Sequence, residues 1–184
     1  MTDPAPERVD WSRWTVVLLK PDCLERDLVD AVLERVSTEI ALIVVERVTV
    51  ADWQIFVHYW DLLAYRHRLD VDVAACLRDR YVGHDVVVAL GYSATPGVDT
   101  ATRVRALLGD FDPSTAEPGT IRADLGNDSL AAARREHRLV DNLIHTSDDV
   151  TAAARDFHTW FGGHRAADLL RPPATADRPE VPTP

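Results

Sequence analysis

The sequence predicts an α+β protein, a sandwich in which helices pack against one mixed or antiparallel sheet. Three observations carry the prediction. Strand-length apolar runs alternate with stretches of helical periodicity, in the order strand, helix, four times over. The strand-like runs are short, which suits one sheet with helices laid against it. The 184 residues, 46% of them hydrophobic, are enough for one domain with a substantial core.

Trp14 to Leu19 is a β-branched and apolar run, a buried strand ending at Lys20; Pro21 stops it and Asp22 begins a turn. Leu28, Val32, Leu33 and Val36 recur at helical spacing, so residues 26–38 form an amphipathic helix. Ile40 to Val50 is strand-like, with Leu42, Val44 and Val48 among its apolar positions. Asp52 then starts a helix carrying Phe56, Tyr59, Trp60 and Leu63. A short helix over Val71 to Arg80 and a strand over Asp85 to Leu90 follow. Thr100 to Leu108 reads as a helix ended by Gly109. Residues 110–119, with prolines at 113 and 118, form an ordered loop. Thr120 to Leu125 is short and strand-like. Ser129 to Arg138 is a charged, Ala-rich surface helix capped by Asp128 or Ser129. After His145, Ser147 or Asp148 caps a last helix running to Phe161. The chain then turns Pro- and Ala-rich without periodicity. The expected organisation is a flexible N-terminus over 1–12, a folded domain over 13–162, and a C-terminal tail over 163–184 that is mobile or lies on a neighbouring subunit.

Composition narrows the function classes. A net charge of −10 argues against a surface that coats nucleic acid, yet leaves room for anionic small substrates held by a few local cations. No apolar run approaches the roughly 20 residues that span a bilayer. The stretch Met1 to Arg13 is polar and acidic and does not read as a signal peptide. Cys23 and Cys76 make neither a disulfide framework nor a zinc spacing, which points to reduced thiols in the cytoplasm. There is no Gly-rich Walker loop or kinase-type glycine loop, so phosphates would be held by side chains.

The stretch Asn142-Leu143-Ile144-His145-Thr146-Ser147-Asp148 carries the strongest chemical signal. A histidine follows a short apolar run and precedes a helix-start signal, while Lys20 and Arg122 stand at the ends of strand-like segments. Phosphoryl transfer through a histidine needs this combination: cations neutralise phosphate oxygens while an imidazole nitrogen attacks phosphorus. Alone, His145 reads as an ordinary strand-end histidine, Lys20 as a solvated terminus, and Arg122 as the partner of some acidic residue. Together they are more specific.

With Val17-Leu18-Leu19-Lys20-Pro21-Asp22, His58-Tyr59, Pro118-Gly119-Thr120-Ile121-Arg122-Ala123-Asp124, the His145 stretch and Trp160-Phe161 in this order, the chain resembles the nucleoside diphosphate kinases from about Trp14 to Phe161. The resemblance implies a ferredoxin-like α/β sandwich with a four-stranded, mainly antiparallel sheet covered by helices. It implies a nucleotide-binding kinase that moves the γ-phosphate of ATP or another nucleoside triphosphate to a nucleoside diphosphate, ping-pong through a phosphohistidine, with Mg²⁺ on the nucleotide phosphates. His145 would be the nucleophile; Lys20, Arg103 and Arg122 would hold phosphate oxygens. Arg103 is chosen over Arg105 by motif register. Asn142 would contact the sugar hydroxyl, Tyr59 would sit near the phosphate end, and Ser147 would support the histidine. A glutamate on the family's last helix fixes the histidine tautomer; the matching residue here is Asp156, one methylene shorter, reaching the ring through water. The family assembles as hexamers or tetramers, so a homo-oligomer in nucleotide metabolism is implied.

The chain departs from the family pattern in three places. Tyr65-Arg66-His67-Arg68-Leu69-Asp70 lacks the Phe that clamps the base, leaving Tyr65 or Leu69 for that role. Phe111 stands where a threonine is expected near the phosphates, and the stretch from Arg122 to His145 is longer by a short helix. Two rival readings stay open: a non-catalytic nucleotide-binding relative with a regulatory or assembly role, and a histidine phosphocarrier to a non-nucleotide acceptor. Of the other histidines, His58 is the best placed to support the site; the aromatic set Trp53, Phe56, Trp60, Phe157, Trp160 and Phe161 reads as packing.

Overall fold

The computed structural model describes residues 9–68, 70–95, 97 and 99–173. Four strands, β1 (Trp14–Leu19), β2 (Ala41–Thr49), β3 (Asp85–Tyr92) and β4 (Ile144–Thr146), form one antiparallel sheet in the order β2-β3-β1-β4. With the helices between them this is a ferredoxin-like α/β sandwich.

The central strands explain the unbroken apolar runs. On one face Trp14, Val16 and Leu18 of β1 and Val86, Val88 and Leu90 of β3 share a core with α3 (Asp52–His58), α5 (Val73–Tyr81) and α9 (Val150–Trp160). On the other, Val17, Leu19, Val87 and Ala89 pack on α2 (Val29–Ser37) and α6 (Thr100–Leu108). Because both faces are covered, neither β1 nor β3 alternates between apolar and polar. The remaining helices are α1 (Pro21–Glu25), α4 (Trp60–Ala64), α7 (Ile121–Leu125), α8 (Leu130–Arg135) and α10 (Ala166–Leu169).

Several expectations need correction. The strand ends before Pro21 as expected, but Asp22 begins no turn: Pro21 is the first residue of α1, where its missing N–H has no partner to lose. Thr120 to Leu125 is not a strand but the helix α7. Its β-branched Thr120 and Ile121 suggested extension, yet the buried Ile121 and Arg122 leave a one-turn helix as the connection. The last helix is capped by Asp149, which accepts from the Thr151 and Ala152 amides, because Ser147 is still held to β1 through its amide on the Val16 carbonyl. Ser129, accepting from the Ala132 amide, is the cap of α8.

Both ends of the domain extend further than expected. Val9 and Trp11 pack against the core, with the Trp11 ring 5.6 Å from that of Phe157, so core contacts begin before residue 13. The expected tail begins with a turn at Gly163–Arg165 and then α10. Ala166, Leu169 and Leu170 recur one turn apart and lie on the core, and Arg165 forks onto Glu46 at 2.7 and 3.0 Å. A single turn is too short to register as periodicity. Residues 174–184 lie outside the described residues.

Candidate active site

His145 is placed by strand register. It pairs with Leu18 across β1 and β4, and directly opposed residues share a face of the sheet, so its ring points to the side covered by α3 and α9. There it meets the rings of His58, 4.8 Å between centroids at 83°, and Tyr59, 5.3 Å at 58°. The approach to His145 is strained. The Ile144 amide donates to the Asn142 carbonyl at 2.7 Å, a γ-turn that puts Leu143 at φ +68°. A buried leucine holds this conformation because its amide donates to Asp22 Oδ2 at 2.8 Å and its carbonyl accepts from the Lys20 amide at 2.8 Å. Nothing in a leucine announces a positive φ, so the sequence, which reads Asp22 only as the start of a turn, gives no sign of this role.

The cations arrive from three elements. Lys20, at the end of β1, donates to Asn142 Oδ1 at 2.7 Å, and the Asn142 amide in turn donates to the Phe111 carbonyl. Arg122 on α7 is only 9% exposed; its guanidinium donates to the carbonyls of Gly109 (3.0 Å), Asn142 (3.3 Å) and Ile144 (2.7 Å). Gly109 ends α6 at φ +81°, and a Cβ there would collide with the Thr120 side chain, so only glycine lets α6 and α7 approach this closely. Lys20, Tyr59, Arg105, Arg122, Asn142 and His145 line one pocket of about 470 Å³, the size of a small-molecule site.

The geometry sorts the expected residues. Arg103 does not reach the pocket: it donates to Glu39 at 2.7 Å and to the Ser93 and Thr95 hydroxyls. Arg105 lines the pocket instead, ion-paired with Asp148. The signal was available, since Arg105 lies one helical turn before Gly109 and therefore faces the same way. Asp156 does not touch His145. Its carboxylate accepts from Ser147 Oγ at 2.9 Å, from Arg155 Nε at 3.2 Å, and lies 3.2 Å from His58 Nδ1. Tyr65 is exposed and absent from the pocket lining, whereas Phe111, 53% exposed, is on it. Leu69 lies outside the described residues. The added helix α8 contributes Leu130 and Arg134 to the pocket lining.

Charge and burial tune these groups in a consistent direction. Burial, reinforced by the charges of Lys20, Arg105 and Arg122, pushes the His145 pKa well below the ordinary histidine value, which keeps the ring neutral. Burial lowers Lys20 to about 8, against the opposing pull of Asp22, and lowers Arg122 to about 10. Burial would raise Asp156, but its hydrogen bond with His58, the charge of Arg155 and the hydrogen bond from Ser147 outweigh this and hold it below the usual carboxylate range.

A neutral imidazole beside three cations, in a small-molecule pocket on a ferredoxin-like sandwich, is the architecture of a phosphotransferase. The family model described as Nucleoside diphosphate kinase matches residues 13–166, and the chain belongs to that family. A nucleoside diphosphate kinase of a Nocardioides species is 35% identical over 150 residues, covering 81% of this chain and 96% of that one. A Mycolicibacterium gilvum nucleoside diphosphate kinase is 31% identical, covering 81% and 96%. Among solved structures, a Pyrobaculum aerophilum NDP kinase superposes with a TM-score of 0.71 at 27% identity, covering 86% of this chain and 99% of that one. A Borrelia burgdorferi nucleoside-diphosphate kinase with bound vanadate and ADP superposes with 0.72 at 25% identity, covering 83% and 88%.

Proposed function

We propose that the protein moves the γ-phosphate of a nucleoside triphosphate to a nucleoside diphosphate in two half-reactions through phospho-His145. The observation that carries the reading is one pocket that joins a neutral, half-buried imidazole to Lys20, Arg105 and Arg122. The imidazole nitrogen attacks the γ-phosphorus, and the bond to the bridging oxygen breaks as its electron pair leaves with the diphosphate. The second half-reaction runs the same step backwards onto another diphosphate. In a loose, metaphosphate-like transition state the protein contributes positioning and charge, which side-chain cations supply here without a backbone cradle.

Each residue has a role with spare bonding capacity behind it. Arg122 uses three of its five N–H groups on carbonyls and keeps two for phosphate oxygens. Asn142 Oδ1 accepts from Lys20 and keeps a lone pair for the sugar hydroxyl. Tyr59 stands beside His145 at the phosphate end, and Ser147 steadies the strand that carries the histidine. The substrate is the Mg²⁺ complex of the nucleotide, the ion's charge being shared among phosphate oxygens. Among the described residues no helix is long and apolar enough to cross a membrane. With the two thiols free, the same reading places the protein in the cytoplasm as a homo-oligomer, a hexamer or tetramer.

The deciding experiment mixes purified protein with [γ-³²P]ATP and Mg²⁺, then chases with a panel of nucleoside diphosphates. An acid-labile, base-stable label that moves into nucleoside triphosphates is expected. A label that stays on the protein would replace the reading with a phosphocarrier, and no label with a nucleotide-binding relative.

The corrected arginine gives a sharp comparison. Arg105→Ala is expected to slow exchange by roughly 10²-fold, the usual loss for a charge stabiliser, whereas Arg103→Ala leaves steady-state exchange unchanged. The reverse ranking would return the role to Arg103.

Lys20 sets a pH dependence. Its charge is present below pH about 8 and lost as pH rises through that value, so kcat/KM, which reports the free enzyme, should fall on the alkaline side. A bound phosphate favours the charged lysine, so kcat should fall at higher pH than kcat/KM. Lys20→Arg should remove the alkaline fall from the kcat/KM profile; a fall that persists would assign it to another group.

A further inference from the structure

The half-reaction proposed above leaves one requirement unassigned: an acceptor for the second ring nitrogen of His145. A nucleophilic imidazole must be neutral, with its N–H held on the side away from phosphorus. Asp156, one methylene short of a glutamate, does not supply that acceptor, because its oxygens are bonded to Ser147 and Arg155 and face His58. His58 lies between the two. It is 2% exposed, its Nδ1 is 3.2 Å from Asp156 Oδ1, and its ring stands edge-on against that of His145. Its Nε2 is buried and has no hydrogen-bond partner among the described residues. A buried ring nitrogen without a partner is uncommon and calls for a reason.

We propose that His58 is the positioning residue that carries the influence of Asp156 to His145. Asp156 accepts the proton of His58 Nδ1, which leaves His58 Nε2 as an unprotonated acceptor. That acceptor takes the ring N–H of His145 as the nucleophile closes on phosphorus. No proton has to leave: the N–H stays on His145, the new N–P bond places positive charge on the ring, and the Asp156–His58 pair offsets it. The inference rests on the phosphohistidine reading.

One neighbour argues for the other tautomer. Trp160 Nε1 lies 3.2 Å from the same His58 Nδ1, and an indole N–H can only donate. A donor and an acceptor therefore compete for one nitrogen. The carboxylate wins this competition, because a charge-assisted bond is stronger than one from a neutral indole. Trp160 then serves as an edge-on packing partner, its ring 5.5 Å from that of His58.

The test has two parts. ¹⁵N NMR of the histidine side chains in the unreacted wild-type protein should show His58 protonated at Nδ1 and bare at Nε2. A proton on Nε2 overturns the proposal whatever the enzyme does. The second part measures single-turnover formation of phosphohistidine. His58→Phe, which keeps a ring of similar shape, should slow it by about 10-fold or more, with little change in KM. In an Asp156→Glu background, where the longer carboxylate reaches His145 itself, the same substitution should cost less than about 3-fold, a non-additivity expected of groups acting in one chain. Equal losses in both backgrounds would mean that His58 only fills space. If His58→Phe does not fold, the NMR result decides. If the wild type takes no label on His145, the phosphohistidine reading fails by itself, while the tautomer of His58 is still read directly.

Discussion

Replacing His145 with alanine is expected to abolish both the phosphoprotein and nucleotide exchange while the protein stays folded. The side chain is half-buried, no hydrogen bond joins it to another described residue, and its ring contacts are with His58, edge-on, and Tyr59, tilted. The core that holds β4 lies in Ile144 and Leu143, not in the histidine. Stability should therefore change by no more than about 1 kcal/mol, the usual size for a partly exposed site. The other described histidine on the pocket lining, His137, comes from the turn after α8, with Arg134 and Arg138, and not from the sheet that carries Lys20 and His145. Exchange should fall by about 10⁴-fold or more, as when a nucleophile is removed from a covalent mechanism. Label on the alanine variant, or exchange near the wild-type rate with an unchanged melting temperature, would remove His145 from the mechanism.

Most of the sheet was legible in the sequence because its residues serve one demand only. Trp14 to Leu19 is buried on both faces, and β-branched and apolar side chains are the only ones that satisfy that position. The α6 stop at Gly109 was readable for a similar reason, since a positive φ there selects glycine. The misread positions are those under two demands. Thr120 and Ile121 look like strand residues, but Ile121 is there to fill the core beside Leu108 and Leu143, which a helical turn does equally well. Ser147 looks like a helix cap, but its hydroxyl is already committed to Asp156 and the Val16 amide. Arg103 and Arg105 look alike in sequence, and only the angle between them on the helix separates a structural ion pair with Glu39 from a pocket cation. The contact between His58 and Asp156, 98 positions apart, depends on α3 and α9 lying side by side. No local pattern encodes it.

Arg122→Ala should do two kinds of damage, and they can be measured separately. The guanidinium ties the end of α6, through the Gly109 carbonyl, to both sides of the strained Leu143 turn, through the carbonyls of Asn142 and Ile144. Its pKa, lowered by burial to about 10, still leaves it charged at neutral pH. Removing it leaves three inward-facing carbonyls without a charged donor, at a cost of about 3 kcal/mol after water fills part of the space. For a domain of this size that corresponds to a fall of about 10 °C in Tm. Exchange should slow by roughly 10²–10³-fold, because the phosphate also loses two N–H donors. Arg122→Lys separates the two effects. An ammonium restores charge near the phosphate but cannot reach three carbonyls from one planar fork. The lysine variant should therefore recover part of the rate, while its Tm stays close to that of the alanine variant. An unchanged Tm in Arg122→Ala would mean that the carbonyl bonds contribute nothing to the turn, and an unchanged rate would take Arg122 out of the mechanism. A lysine variant that regained the full Tm without the rate would reverse the assignment, making charge the structural term and the fork the catalytic one.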